Sequence, residues 1–428
     1  MLQNHKELNG DTMENMKNLI IIHLESLSNI LYFKNKMLFN HINKISNICI
    51  NYNNFYASST STIMNIADLF FGDMRQYESS SSINSLSNSN IVCESLFTVM
   101  DRAGYSIKTI LYPPWNKEDL NNLEYITGTA SYTKTYEEFK NLISGSIIND
   151  NPFALYIYNG LSGISFLNQD KTKDWSDCWD EGYVSCDDTV GYIFKLLNDK
   201  KLMDHTVVIM FGDHGDDFWT HSFNSGFCHC IEPYASMIHT PLFVYSPDIP
   251  TAYVNDIVST SDIRNLVLSM LPIEYDNCCE NYIYDRYRSS RKYSLSRNLF
   301  VNQEDCSALL KKSYSLSNGY YNLLVSKDGL EFYFEPCDMT NHCNLLCFYN
   351  MNKQGTLSFK EDFIKMPSNH FNKAMDCRRK KEIELVFYEM RRQLIAEVVR
   401  MYKTVSNKEL SWQKELNFNE INYSDFTH

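Results

Sequence analysis

Three short segments carry residues able to do metal-assisted chemistry. The apolar run Thr206–Phe211 ends in Gly212-Asp213-His214-Gly215, which sets a carboxylate beside an imidazole at a strand end. A hard oxygen and a nitrogen so placed offer two donors to one divalent ion. The flanking glycines are read as permitting a tight turn that aims both side chains at one point. A capping Asp and a surface His would need no such flanks. Glu25 follows a second apolar run, residues 18–24. Alone it serves equally as a helix cap or a ligand; with Asp213 and His214 it is the natural third ligand. The third segment is hydroxyl-rich, Ser58 to Thr62, ahead of the apolar helix predicted over Ile63–Phe71. Thr62 stands where helix N–H groups and the helix dipole favour an anion. A hydroxyl there is a plain N-cap or, beside a metal, an activated nucleophile. Carboxylates with one imidazole suit a single Mn²⁺ or Zn²⁺ ion better than Mg²⁺.

Something must hold these segments together. Short apolar, β-branched runs at 18–24, 106–111, 153–158, 206–211 and 241–245 read as buried parallel strands. Between them lie stretches of helical spacing, such as 94–103 and 188–198. Strand–helix alternation predicts a doubly wound α/β sheet, whose chemistry lies at the carboxyl ends of the strands. After Pro272 the pattern changes. Two strand-like runs flank Lys327-Asp328-Gly329, a hairpin signal, and residues 376–403 show the apolar stripe of a long amphipathic helix, with Ile383, Val386, Met390, Leu394, Val398 and Met401. The chain is therefore divided into a polar tail (1–17), a catalytic α/β domain (18–272), a subdomain with a small antiparallel sheet (273–375) and a C-terminal amphipathic helix and tail (376–428). Residues 79–90 form a Ser/Asn-rich loop, read as a linker.

Composition narrows the function. A formal net charge of -13 over 428 residues argues against a nucleic-acid partner, because no basic surplus exists to displace counterions. No apolar run reaches membrane-spanning length and residues 1–17 lack a signal core, so the chain reads as soluble and cytoplasmic. The 13 cysteines are irregularly spaced and read as reduced, mostly buried thiols. Cys228, Cys230, Cys337, Cys343 and Cys347 leave zinc as the alternative. His23, inside the first strand, reads as a core residue.

The order carboxylate, hydroxyl, Asp-His resembles the alkaline phosphatase/sulfatase superfamily, and most of all its lipoteichoic acid synthase and lipid A phosphoethanolamine transferase branch. Glu25 matches that branch's first-strand Glu. Thr60-Ser61-Thr62 matches its Thr-x-Thr opening a helix, and Asp213-His214-Gly215 its Asp-His-Gly. Weaker likenesses run through Gly104-Tyr105, Asp188, Glu232-Pro233-Tyr234, Thr240-Pro241-Leu242, Ser261-Asp262-Ile263 and Asn344-Leu345. The resemblance implies an alkaline phosphatase-like, mostly parallel sheet with a small C-terminal antiparallel subdomain. It implies Thr62 as nucleophile and fourth metal donor, with Glu25, Asp213 and His214 as the other ligands. His221 has the spacing of the sulfatase Asp-His-Gly…Glu-His stretch, which suits a residue that contacts phosphate or protonates a leaving group. His229 and His239 are the alternatives, and Trp115 and Trp219 would line a substrate pocket.

Two departures matter. Residues 57–68 lack the Cys-x-Pro-x-Arg of sulfatases and contain no Arg or Lys, so sulfate hydrolysis through formylglycine is disfavoured. The loop Asn159-Gly160-Leu161-Ser162 lacks the His usual in relatives, which removes a donor for a second ion. The expected activity is phosphoryl transfer from a phosphodiester or phosphomonoester, of a small molecule or a glycan, to water or to a surface polysaccharide. The alternatives are a sulfatase and a non-catalytic binding protein on the same fold.

Overall fold

The computed structural model describes residues 16–74, 93–148, 151–163, 175–217, 221, 229, 231–275, 280–298, 312–360, 380–406 and 416–422. Most of the N-terminal tail, the 79–90 loop, Trp219, Cys228, Cys230, Cys278 and Cys279 lie outside the described residues. An eight-stranded sheet forms the centre, built from β1 (Asn18–Leu24), β2 (Ile50–Tyr56), β3 (Ser106–Tyr112), β4 (Ser131–Tyr132), β5 (Phe153–Asn159), β6 (Thr206–Gly212), β7 (Leu242–Tyr245) and β8 (Ala252–Ser259). Its order is β4-β3-β5-β1-β6-β7-β2-β8. Every neighbouring pair is parallel except the two made by β7, which runs against β6 and β2.

All seven residues of β1 are buried, as are those of β5 and β6 beside it. A central strand covered on both faces has no reason to alternate apolar with polar, which is why these runs stand out in the sequence. The pleat sorts them between two cores. Leu19 and Ile21 join Val207, Ile209 and Phe211 on the face packed by Ile66 and Phe70 of α1 (Thr62–Phe71). Ile20, Ile22 and Leu24 join Val208 and Met210 on the face packed by Val190, Ile193 and Leu197 of α2 (Trp175–Asp199). In register, Leu24 lies beside both Asn159 and Gly212. Glu25 and Asp213, one residue further on, thus emerge at the same level from adjacent strands.

A two-stranded ladder joins β9 (Ile283–Tyr284) and β10 (Arg288–Ser289). A four-stranded antiparallel sheet then follows: β11 (Ser294–Asn298), β12 (Ser313–Ser317), β13 (Tyr321–Ser326) and β14 (Gly329–Phe334). Ser326 pairs with Gly329 across the predicted hairpin turn. Helix α3 (Lys380–Ser406) buries Ile383, Phe387, Met390, Leu394, Val398 and Met401 among the residues of this sheet. Phe387 takes the place in the stripe expected for the half-buried Val386. The small sheet is also the floor of the hydroxyl-rich segment. Arg297 of β11 donates its N–H to the Ser58 carbonyl, Thr60 donates to the Arg297 carbonyl, and Ser296 Oγ donates to the Ala57 carbonyl.

Cys49, Cys178, Cys186, Cys337, Cys343 and Cys347 carry free thiols, while Cys93 is disulfide-bonded and departs from the reading of reduced thiols. Among the described residues no helix is long and apolar enough to cross a membrane.

Candidate active site

Glu25 is fixed by its backbone. Ser26, directly after it, has φ 56°, an uncommon conformation for a residue with a side chain. It is held there from both sides. Its N–H donates to Asp213 Oδ1 at 3.0 Å, and its carbonyl accepts from the Tyr183 hydroxyl at 2.7 Å. The Glu25 carbonyl accepts from Ser162 Oγ at 2.8 Å. Asn159-Gly160-Leu161-Ser162, lacking a histidine, thus supports the carboxylate-bearing turn.

Gly212 and Gly215 serve a different purpose from the one expected. Neither has positive φ. A Cβ on Gly212 would sit 2.2 Å from the Leu27 carbonyl oxygen, and one on Gly215 would sit 2.2 Å from that of Ser236. Close backbone approach, not turn geometry, demands glycine on both sides of Asp213-His214.

Only one of the neighbouring hydroxyls is seen to face these donors. Ser58 Oγ donates to Asp68 Oδ2 at 2.5 Å, within the buried interior. Asn65 ties down the middle of the segment: its Oδ1 accepts the Ser59 N–H, and its Nδ2 donates to the carbonyls of Ser59 and Ser61. The N-cap residue Ser61 makes no side-chain cap bond. Thr62 opens α1, and its Oγ1 lies 3.0 Å from His214 Nε2 and 3.4 Å from Glu25 Oε1.

The donor set fits a divalent ion. His214 Nδ1 lies 3.0 Å from the Gly215 carbonyl, which can only accept, so Nδ1 carries the proton and Nε2 presents its lone pair to Thr62. Asp213 Oδ2 lies 3.3 Å from that nitrogen. Glu25 Oε2 and Asp213 Oδ2 are both buried without a well-directed hydrogen bond. Two carboxylate charges in a dry interior are costly unless a cation, an imidazolium or a metal ion, compensates them. Burial raises the Asp213 pKa, but the neighbouring imidazoles and the hydrogen bonds from His23 and the Ser26 N–H outweigh it and hold this carboxyl below the usual range. The Asp213 carboxylate therefore stays ionised, as a ligand must.

His23 is no ordinary core residue. Its Nε2 lies 3.0 Å from Asp213 Oδ2 and 3.3 Å from Glu25 Oε2, and its Nδ1 lies 2.5 Å from the Tyr156 hydroxyl. Burial lowers the His23 pKa, yet Asp213 and Glu25 lift it to about 9. The period-two pleat was the signal: His23 shares a strand face with Glu25. Of the other candidates, His229 stacks its ring on His214 at 4.4 Å and sets its Nδ1 3.2 Å from Asp216. His221 stacks on Tyr234 at 3.6 Å and bonds Asp217 at 2.6 Å. His239 is not brought to Thr62 by any contact. It stacks on Tyr56 at 4.8 Å, with Nε2 2.8 Å from the Asn53 carbonyl and Nδ1 3.4 Å from Glu335. Both of its nitrogens are thus committed to the scaffold. Trp115 packs edge-on against Tyr158, which lies beside Glu25. Two groups among the described residues have the donors for an ion, His23–Glu25–Asp213 and His214–Asp216–His229, and neither includes a cysteine.

The sulfatase family profile matches residues 17–273, more than half of the chain. No curated protein sequence matches it. Several solved structures share the fold at low identity. The lipoteichoic acid synthase LtaP from Listeria monocytogenes superposes with a TM-score of 0.54 at 16% identity, covering 74% of this chain and 84% of that one. BT4656, solved with its substrate D-glucosamine-2-N,6-O-disulfate, gives 0.59 at 11% identity, covering 93% and 100%. A protein of the alkaline phosphatase superfamily from Vibrio parahaemolyticus gives 0.54 at 14%, covering 83% and 87%.

Proposed function

This chain belongs to the sulfatase family, within the alkaline phosphatase superfamily, and from that premise we propose that it is a metal-dependent phosphoester hydrolase or transferase with Thr62 as nucleophile. The observation that carries the reading is Thr62 Oγ1 at the start of a buried helix, 3.0 Å from the bare Nε2 of His214. A divalent ion held by Glu25, Asp213, His214 and Thr62 would make that hydroxyl nucleophilic and neutralise charge on the transferring group. Thr62 Oγ1 attacks phosphorus in line, and the bond to the leaving alcohol breaks. The start of α1 supplies N–H groups and the positive end of its dipole to the phosphoryl oxygens. We assign the leaving-group proton to His229, oriented by Asp216, ahead of His221, whose contacts are with Asp217 and Tyr234. Water or a sugar hydroxyl then takes the group from Thr62. A carbohydrate ester is the substrate class favoured, because BT4656 acts on a sulfated sugar.

The sulfatase alternative draws on the same family match. Against it stands residue 62: sulfatases of the formylglycine type oxidise a Cys or Ser in a Pro- and Arg-containing motif, and residues 57–68 hold neither Pro nor Arg. Assays with p-nitrophenyl phosphate, bis-p-nitrophenyl phosphate and p-nitrophenyl sulfate, with added Mn²⁺ or Zn²⁺ and with chelator, separate the readings. Phosphate esters should turn over only with metal, and the sulfate should not. The reverse preference overturns the proposal, and metal binding without turnover of any ester leaves a binding protein on this fold.

Metal analysis of protein purified without chelator should give about one ion per chain. A value near two would point to a second site around His229, with Asp216 or His221.

A further inference from the structure

We propose that His23 is itself a ligand of the metal centre, a second imidazole beneath the two carboxylates that selects Zn²⁺ or Mn²⁺ over Mg²⁺. The inference rests on the reading of Glu25 and Asp213 as ligands. Its grounds are geometric. His23 is 1% exposed, and its Nε2 is buried without a well-directed hydrogen bond, as are the two carboxylate oxygens it approaches. The three atoms face one another, with the nitrogen 3.0 Å from Asp213 Oδ2 and 3.3 Å from Glu25 Oε2. Donors on neighbouring corners of a tetrahedron with bonds of about 2.0 Å are separated by about 3.3 Å, so these spacings are those of ligands around a small ion.

The ring is held for that task. On β1, His23 lies between Tyr158 of β5 and Phe211 of β6, its register partners, at centroid distances of 4.8 and 5.1 Å. The Tyr156 hydroxyl meets Nδ1 at 2.5 Å and can accept its proton, which leaves the Nε2 lone pair for the ion. Ligating histidines commonly give their second N–H to such a partner. An imidazole added to a carboxylate set also changes which metal it prefers. Mg²⁺ takes oxygen donors and keeps its waters, whereas Zn²⁺ and Mn²⁺ accept nitrogen.

The test uses the full chain as His23→Leu, which keeps an apolar side chain in the aromatic sandwich, and as His23→Gln, which keeps a hydrogen-bond donor without an imidazole. Zn²⁺ and Mg²⁺ affinities are measured by competition with a chromophoric chelator, and Co²⁺-loaded protein is followed by its visible absorption. Both variants should lose about 100-fold or more in Zn²⁺ affinity, beyond the 10–100-fold span typical of groups outside the ligand shell, with a much smaller change for Mg²⁺. The Co²⁺ spectrum should shift in both. Wild-type Zn²⁺ affinity and an unchanged Co²⁺ spectrum in His23→Gln would overturn the proposal and leave His23 as a hydrogen-bonding support. So would equal losses for Zn²⁺ and Mg²⁺. If the wild type binds no ion at all, it is the underlying reading of the centre that fails.

Discussion

Thr62→Ala should lower turnover by roughly 10⁴–10⁶-fold while leaving the fold and the metal content nearly intact. The size follows from losing the covalent path: without its nucleophile a site retains only charge stabilisation and binding. Little structural damage is expected. Thr62 is the first residue of α1, and the buried network beneath it runs through Ser58, Asn65 and Asp68. Wild-type protein quenched during turnover of a phosphate ester should carry a phospho-adduct on the peptide containing Thr62. Thr60→Ala supplies the control, because Thr60 Oγ1 is buried and makes no hydrogen bond. If Thr60→Ala is inactive and Thr62→Ala retains near-normal rates, the nucleophile is two residues upstream. If all the hydroxyls from Ser58 to Thr62 can be removed one by one without loss, covalent catalysis is wrong.

The sequence made visible those parts of the molecule whose environment is uniform along the chain. Residues 18–24 and 206–211 lie in strands covered on both faces, so burial alone wrote their composition. Asp213-His214 could then be read because a carboxylate and an imidazole immediately after such a strand have few structural uses. Strands β2 and β8 were missed. INYNNFY and AYVNDIVS mix polar with apolar residues toward the outer end of the sheet, where exposure begins. His23 reads as core from sequence because strand periodicity says which face a residue shares and not what lies across the sheet from it; Tyr156 is 133 residues away. That His229 packs against His214 was hidden for a related reason. Spacing from Asp213 was the only guide, while the stacking of His229 on His214 depends on the path of the intervening chain. The two glycines were correctly singled out for the wrong cause, since their neighbours, Leu27 and Ser236, come from other elements.

Arg297→Leu should destabilise the protein by about 3–5 kcal/mol, the range for leaving one member of a buried ion pair without its partner. Nothing local in the sequence predicts this pair, whose members are 229 residues apart. Arg297 and Asp68 are both fully buried, with Nη2 3.0 Å from Oδ1. Asp68 lies on the helix that begins with Thr62, and its other oxygen accepts from Ser58 Oγ. Arg297 also brackets Ser58 and Thr60 through its own backbone. One ion pair thereby joins α1, the hydroxyl-rich segment and the small antiparallel sheet. Losing the guanidinium takes the cation from beside the buried Asp68 carboxylate and loosens the tie between α1 and the small antiparallel sheet. Turnover should therefore fall in protein that is still folded, well below the urea midpoint. The double variant Asp68→Leu/Arg297→Leu distinguishes cost from benefit. Removing both charges abolishes the desolvation cost together with the attraction, so its stability should recover much of the loss. Its turnover should remain low, because Ser58 has then lost its Asp68 acceptor and α1 its polar tie to β11. The measurements are urea midpoints at constant slope for the three variants, with initial rates taken at low urea. A loss below about 1 kcal/mol in Arg297→Leu would place this pair with weakly coupled surface bridges. Full activity in the folded double variant would mean that the segment bearing Thr62 needs no anchor on the second sheet.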